Sequence, residues 1–256
     1  MNGPQAVTKE ERWAIAHNIA DRLKQVYGDK IKAIGLYGSM ARGTDGPYSD
    51  TEMLCVLHTE DEEEPIDFSH EWAAGVWKAE VNVYSEEELL KYAKTVEDSW
   101  PLSHGAFLTA LPLYDPDGFF DDLIAAVQSP DEADFRESIR GILVGEMFEF
   151  AGKWRNANAQ GPRTYLPYLA METAQYAAML IGLHHRTTYS TGAKVIPEAM
   201  TLPDRPEGFD ALAQLVLSGE LSDPDRVFLT CEAFWSGLQE WAEERDYAFI
   251  TEQIPF

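Results

Sequence analysis

A short apolar run, Ile31 to Tyr37, stops at Gly38-Ser39, and an acid-bearing run resumes at Asp50. No other feature constrains the fold as much. A run that short and apolar suits a buried strand. Met40 to Arg42 begin a short helix, and Gly43, Gly46 and Pro47 then make a turn. Asp50 to His58 reads as a second strand, with Asp50, Glu52 and Leu54 on one face and Met53, Cys55 and Leu57 on the other. Backbone N–H groups at a turn leading into a helix bind phosphate. Arg42 adds a forked donor for phosphate oxygens. Asp50 and Glu52, at i and i+2 of a strand, point the same way and suit hard metal ions. The stretch therefore suggests metal-assisted transfer of a phosphate-bearing group.

The rest of the first half is mixed. Thr8-Lys9-Glu10-Glu11 is a capping box, followed by a helical face of Trp13, Ala16, Ile19, Ala20, Leu23, Val26 and Tyr27 that ends at Gly28. Val76 to Tyr84 alternates: Trp77, Ala79, Val81 and Val83 look to a core, and Lys78, Glu80 and Asn82 look away. That places a third carboxylate, Glu80, on a strand face able to meet Asp50 and Glu52. Ser85 opens a helix to about Val96, Leu108 to Tyr114 is a further strand, and Pro116 to Gln128 a short helix. From Asp131 onward the pattern is almost wholly helical. The expectation is an α+β chain of two domains: a mixed β-sheet domain with helices over residues 1–130 and a helical bundle over residues 131–256.

In the second half, Phe135, Ile139, Ile142, Leu143, Met147 and Phe150 line one face of a helix running to about Trp154. Glu146, Glu149 and Lys153 are its polar members. Glu149 and Lys153 stand at i and i+4 in the favourable order, which on most helices means only a surface ion pair worth about 0.2–0.5 kcal/mol. Leu166 to Arg186 is apolar nearly all round and reads as the buried centre. His184 and His185 diverge by roughly 100° on a helix and cannot share one metal, so they read as core or capping residues. Phe209 to Leu217 and Asp223 to Glu243 supply two more helices, the last with Val227, Cys231, Phe234, Leu238 and Trp241 on one stripe.

Forty-four Asp+Glu against 20 Lys+Arg give a formal charge of −24. That field repels polyanions and attracts polycations, which argues against nucleic acid and supports a cationic substrate, while acidity that serves solubility alone is a common alternative. The acidic run Glu60 to Glu64 reads as a solvated loop. Cys55 and Cys231 lie in apolar periodic segments and read as buried free thiols. Met1-Asn2-Gly3-Pro4-Gln5 lacks a basic and apolar leader, and no run is long enough to span a bilayer, so a cytoplasmic protein with no membrane partner is expected.

Gly38-Ser39, ten residues, then Asp50-Thr51-Glu52 resembles the signature of the polymerase-β-like nucleotidyltransferase superfamily, with Thr51 where an apolar residue is usual. Other stretches bring the likeness closer: Tyr37-Gly38-Ser39, Thr44-Asp45-Gly46-Pro47-Tyr48-Ser49-Asp50, Phe68-Ser69-His70-Glu71-Trp72, Ala151-Gly152-Lys153-Trp154-Arg155-Asn156, Met179 to Arg186, and the ending Ile254-Pro255-Phe256. These are similar to the kanamycin nucleotidyltransferase family of aminoglycoside 4′-O-nucleotidyltransferases, from Met1 to the last residue. The resemblance implies ATP as co-substrate, Mg²⁺, a cationic aminoglycoside acceptor, and a homodimer whose helical domain supplies the base, substrate contacts and dimer interface. It implies Asp50, Glu52 and Glu80 as metal ligands, Gly38, Ser39, Arg42, Ser49 and Lys153 as nucleotide contacts, Glu149 as general base, and Glu80, Glu146 and Glu149 toward the drug. Two departures, Gly145 in place of an acid and a longer acidic loop before Pro65, bear on drug preference rather than on chemistry. The rival expectations are transfer to another aminoglycoside hydroxyl or to a protein, and a module that sequesters cationic drugs without chemistry.

Overall fold

The structure, a computed structural model, describes residues 3–59, 66–247, 249–251 and 254. The acidic run Glu60 to Glu64 and the final Pro255-Phe256 lie outside the described residues. The chain divides into two units, one of residues up to Thr95 with His104–Pro130, the other of Val96–Ser103 with Asp131–Phe256. The division expected at residue 130 coincides with the second junction, and Val96–Ser103 is a short excursion grouped with the helical unit.

In the first unit, Thr8 Oγ1 accepts from the Glu11 N–H at 3.2 Å while the Glu11 carboxylate accepts from the Thr8 N–H at 2.9 Å. This reciprocal cap opens helix α1 (Lys9–Tyr27). Strand β1 (Ile31–Leu36), helix α2 (Gly38–Ala41) and strand β2 (Thr51–Leu57) follow. Next come β3 (Asp67–Ala74) and β4 (Trp77–Ser85), helix α3 (Glu86–Ala93), and helix α4 (Trp100–Ser103), which belongs to the second unit. Helix α5 (Gly105–Leu108), β5 (Leu111–Tyr114) and α6 (Phe119–Val127) complete the first unit. The sheet order is β3-β4-β2-β1-β5, and only the β2/β4 pair is parallel.

Ala16, Ile19 and Ala20 of α1 pack with Met53, Cys55 and Leu57 of β2 and Ala79, Val81 and Val83 of β4. This buried layer fixes which way the alternate residues point. Glu52 and Glu80 fall on the opposite face, where Gly35 leaves room for the Phe120 ring of α6. Strand β3 does not follow from the hydrophobic pattern, because it is the sheet edge and most of it faces solvent. The stretch Leu108 to Tyr114 is strand only from Leu111; its start is the end of α5.

In the second unit α7 (Glu132–Gly141) runs into a π turn (Ile142–Met147) and then α8 (Phe148–Gln160). The apolar stripe expected along this segment is buried throughout. The pure α-helix expected there is not seen. Ile139, Leu143, Met147 and Ala151 recur every four residues, so on an α-helix the stripe would drift by about 40° per step. A turn of i→i+5 bonds absorbs that drift. Helix α9 (Leu166–His184) is the buried centre. Helices α10 (Val195–Ala199), α11 (Phe209–Ser218) and α12 (Pro224–Glu244) surround it.

The two histidines are structural. His184 Nε2 donates to Asp204 Oδ2 at 2.8 Å, which leaves Nδ1 to accept from the Tyr247 hydroxyl at 2.8 Å. His185 Nε2 donates to the Asp204 carbonyl at 2.8 Å. The Arg245 guanidinium, helped by His184 and Trp241, holds the Asp204 carboxyl down to about 2. Both cysteines are free and buried, and burial pushes each thiol up to about 12. No helix among the described residues is long and apolar enough to cross a membrane.

One buried ion pair ties α1 to the loop that leads to Asp50. Arg12 bonds Asp45 Oδ2 through Nε at 3.0 Å and through its terminal nitrogen at 2.6 Å, and also donates to the Val7 carbonyl. Both side chains are almost fully buried, at 5% and 2% exposure. Removing one partner strands the other's charge, so Arg12→Ala should lose about 3–5 kcal/mol of unfolding free energy in urea titrations. A loss below 1 kcal/mol, within the usual range for an exposed pair, would show that the loop does not depend on this contact.

Candidate active site

The sheet face opposite α1 carries a row of carboxylates. Glu52 of β2 is in register with Glu80 of β4, and Glu80 is in register with Glu71 of β3. Register partners point to the same face. Glu80 thus stands where the alternation of β4 placed it, and Glu71 joins it, unforeseen because β3 was unforeseen. Asp50 lies just before β2 and pairs with Lys78 Nζ at 3.6 Å; the same ammonium also bonds Glu71. A cleft of about 420 Å³ opens beside Asp50 and Lys78, walled by Pro4, Pro47, Tyr48 and Trp77.

Glu52 carries the strain of this crowding. Burial raises its carboxyl above the usual range, and the charges of Asp50 and Glu80 raise it further. Arg42 and the Ser39 N–H, which donates to the Glu52 carboxylate, pull the other way. Gly38 is required here on two counts: its φ is +67°, and a Cβ would fall on the Glu52 carboxylate. The Gly-Ser turn therefore already holds one anion, the Glu52 side chain, and Arg42 adds its charge to the same spot.

Tyr37 follows β1 and bonds β2 through its N–H to the Glu52 carbonyl at 3.0 Å. Its hydroxyl donates to Glu80 Oε1 at 3.1 Å and accepts from Asn82 Nδ2 at 2.6 Å; Asn82 also donates to Glu80 Oε1 at 2.8 Å. Burial, then the Glu80 and Glu52 charges, push the Tyr37 phenol well above its ordinary value. Neither Tyr37 nor Asn82 stood out in the sequence: one reads as the end of an apolar run, the other as an outward strand residue. Ser49 Oγ accepts from the Gly46 N–H at 2.9 Å, so this hydroxyl serves the turn before Asp50.

Asp50, Glu52 and Glu80 were expected to gather as metal ligands. Among the described residues, no three His, Cys, Asp or Glu side chains come together closely enough to hold an ion. Lys78 draws Asp50 aside, and Tyr37 and Asn82 hold Glu80. The donor chemistry still fits a hard dication, since all three are carboxylates on one sheet face, and Glu52, raised first by burial, is raised further by the charges of Asp50 and Glu80.

The second group of expected residues lies in the helical unit. On α8, Glu149 Oε1 and Lys153 Nζ meet at 2.5 Å, both half-exposed. The Glu149 bond raises the Lys153 ammonium, whose Nζ lies 5.6 Å from the centre of the Phe150 ring. Glu146 sits in the π turn. Burial raises its carboxyl, and Glu149, Asp98 and Glu172 add to this while Lys153 opposes. Glu97, Asp98, Ser138 and Glu146 line a hollow of about 260 Å³. Asp98 and Glu172 left no mark in the sequence pattern, because nothing local ties them to Glu146.

A five-stranded mixed sheet with an acid row beside a Gly-Ser turn, in a chain that is helical thereafter, defines a nucleotidyltransferase-like fold. A solved nucleotidyltransferase-like protein from Exiguobacterium sibiricum shares that fold, with a TM-score of 0.50 at 12% identity over 93% of this chain and 77% of that one. The family model for the KNTase C-terminal domain matches residues 117–248. The aminoglycoside nucleotidyltransferase (4′) of Staphylococcus aureus and one of the same name from a Bacillus species are each 50% identical to the chain over 257 aligned positions, covering all of both chains. The chain belongs to this aminoglycoside 4′-nucleotidyltransferase family.

The raised carboxyl of Glu52 has a thermodynamic consequence. The native state keeps this proton to higher pH than the unfolded chain, so stability falls as pH rises from the ordinary glutamate range through the raised value. Glu52→Gln removes that penalty. The variant should melt above the parent at pH 8, with the gap closing below about pH 4. Calorimetric scans across pH check this; a gap that widens on acidification would contradict it.

Proposed function

We propose that the chain transfers AMP from ATP to the 4′-hydroxyl of kanamycin-like aminoglycosides, with Mg²⁺, and so confers resistance to these drugs. The carrying observation is full-length identity of 50% to enzymes named for 4′ nucleotidyl transfer. The acid row beside the Gly-Ser turn supports the same reading. A homodimer in the cytoplasm goes with the proposal, on the family resemblance.

The chemistry is an in-line displacement. The 4′-hydroxyl oxygen bonds to the α-phosphorus, the bond to the β-phosphate oxygen breaks, and pyrophosphate leaves. Asp50 and Glu52, with Glu80, are the residues to hold Mg²⁺, which when bound polarises the α-phosphate and offsets the charge of the leaving group. Ser39 and Arg42 bind the outer phosphates. Lys153 counters charge growing on the transferring phosphoryl group. Glu149 accepts the hydroxyl proton. Glu146 and Glu80 attract the ammonium groups of the drug, which a chain of net charge −24 receives readily.

The test is pyrophosphate release over a panel of aminoglycosides with and without a 4′-hydroxyl, with mass spectrometry of the product. Turnover confined to 4′-hydroxyl drugs, with a gain of AMP at that position, supports the proposal. AMP on another hydroxyl or on a protein moves the acceptor, and no pyrophosphate with any drug leaves sequestration. In the same assay Glu149→Gln should lower kcat by about 10²–10⁴-fold, far more than it weakens drug binding, as loss of a general base does. Asp50→Asn should abolish metal-dependent turnover; an active variant would remove Asp50 from metal binding.

A further inference from the structure

Tyr37, Glu80 and Asn82 form a closed network whose hydrogen-bond directions are fixed by chemistry. A carboxylate only accepts, and an amide nitrogen only donates. Asn82 Nδ2 touches both Glu80 Oε1 and the Tyr37 hydroxyl, at 2.8 and 2.6 Å. The flipped amide would set Oδ1 against a carboxylate oxygen, so the nitrogen belongs there. With Asn82 donating to it, the Tyr37 hydroxyl spends its proton on Glu80 Oε1, at 3.1 Å. Both donors therefore converge on one oxygen. Oε1 has two lone pairs and both are used. Oε2 accepts nothing from the described residues.

The path of Tyr37 adds to this. In the sheet order, β2 stands between β1 and β4. Strands lie about 4.8 Å apart, so β1 and β4 are roughly 10 Å apart, and the Tyr37 phenol meets the Glu80 and Asn82 side chains above the intervening strand. A rigid ring with two torsions makes that reach at low entropic cost. Asn82 needs no such reach, being two residues from Glu80 on the same strand face.

We propose that Tyr37 and Asn82 are positioning residues that clamp Glu80 through Oε1 and leave Oε2 as the oxygen offered to an incoming cation, either the divalent metal ion or an ammonium group of the acceptor. The proposal rests on the transfer reading of this site. The clamp holds Glu80 still without using up its second oxygen. Partners of this kind, one step removed from the ligand, typically contribute about 10–100-fold to affinity or rate when the group they hold is a ligand.

The experiment is a double-mutant cycle on the full chain. Tyr37→Phe and Asn82→Ala should each lower kcat/KM for a 4′-hydroxyl aminoglycoside by about 10–100-fold, with melting temperatures close to the parent's. In a Glu80→Gln background neither should cost anything further, because their action passes through Glu80. Calorimetric titration with Mn²⁺ alone and with kanamycin alone supplies a readout independent of turnover. Weaker binding in one arm for Tyr37→Phe identifies the cation that Oε2 takes. Unchanged binding in both arms, or the same loss with Glu80→Gln as without it, overturns the proposal. Should Tyr37→Phe melt early, Asn82→Ala leaves the ring in place and reads the same cycle. Failure of the transfer reading shows elsewhere, as absence of pyrophosphate release by the unsubstituted protein.

Discussion

Like charges on neighbouring strands destabilise a sheet, and this one sets Glu71, Glu80 and Glu52 side by side with Asp50 next to them. Much of the first unit can be read as the means of holding that row. The apolar layer between α1 and the sheet anchors the strands from behind. Lys78 bridges Asp50 and Glu71, Arg42 and the Ser39 N–H face Glu52, and Tyr37 with Asn82 steadies Glu80. The Arg12–Asp45 pair fastens the loop that brings Asp50 to the row. Compensation remains incomplete at Glu52, and sites that keep unbalanced charge do so at the expense of stability.

Residues whose position follows from local periodicity were legible in the sequence. Glu80 could be placed because β4 alternates over nine residues, and the Glu149–Lys153 pair because four residues on a helix bring side chains together. The Gly-Ser turn and the acids after it were legible through their abrupt break in an apolar run. Contacts that depend on strand order were not. Glu71 needed β3, an edge strand without a buried face and so without a hydrophobic period. Tyr37 needed the knowledge that β2 lies between β1 and β4. Asp98 and Glu172 approach Glu146 only through the packing of the helical unit.

The helical unit has a charge problem of its own, met differently. Its acids are spread over a surface and one cation, Lys153, is bonded to Glu149 in their midst. In the sheet, backbone geometry fixes the spacing of the carboxylates; on the helix, side-chain torsions set it. The proposed division of labour follows this contrast. Rigid strands suit a nucleotide and metal of constant shape, and a helix surface suits drugs whose ammonium groups vary in number and place.

The π turn at Ile142–Met147 separates two stretches of helix that are each in ordinary register. A helix built this way contains a point of slack. Loss of one codon there converts the wide turn to a normal one and, because the π turn is a turn holding one extra residue, leaves everything downstream facing nearly the same way. Glu149 and Lys153 lie immediately beyond that point. A change in gene length, rather than a change of residue, is therefore one this segment can take up while the face bearing both side chains keeps its direction and both flanking helices keep their composition.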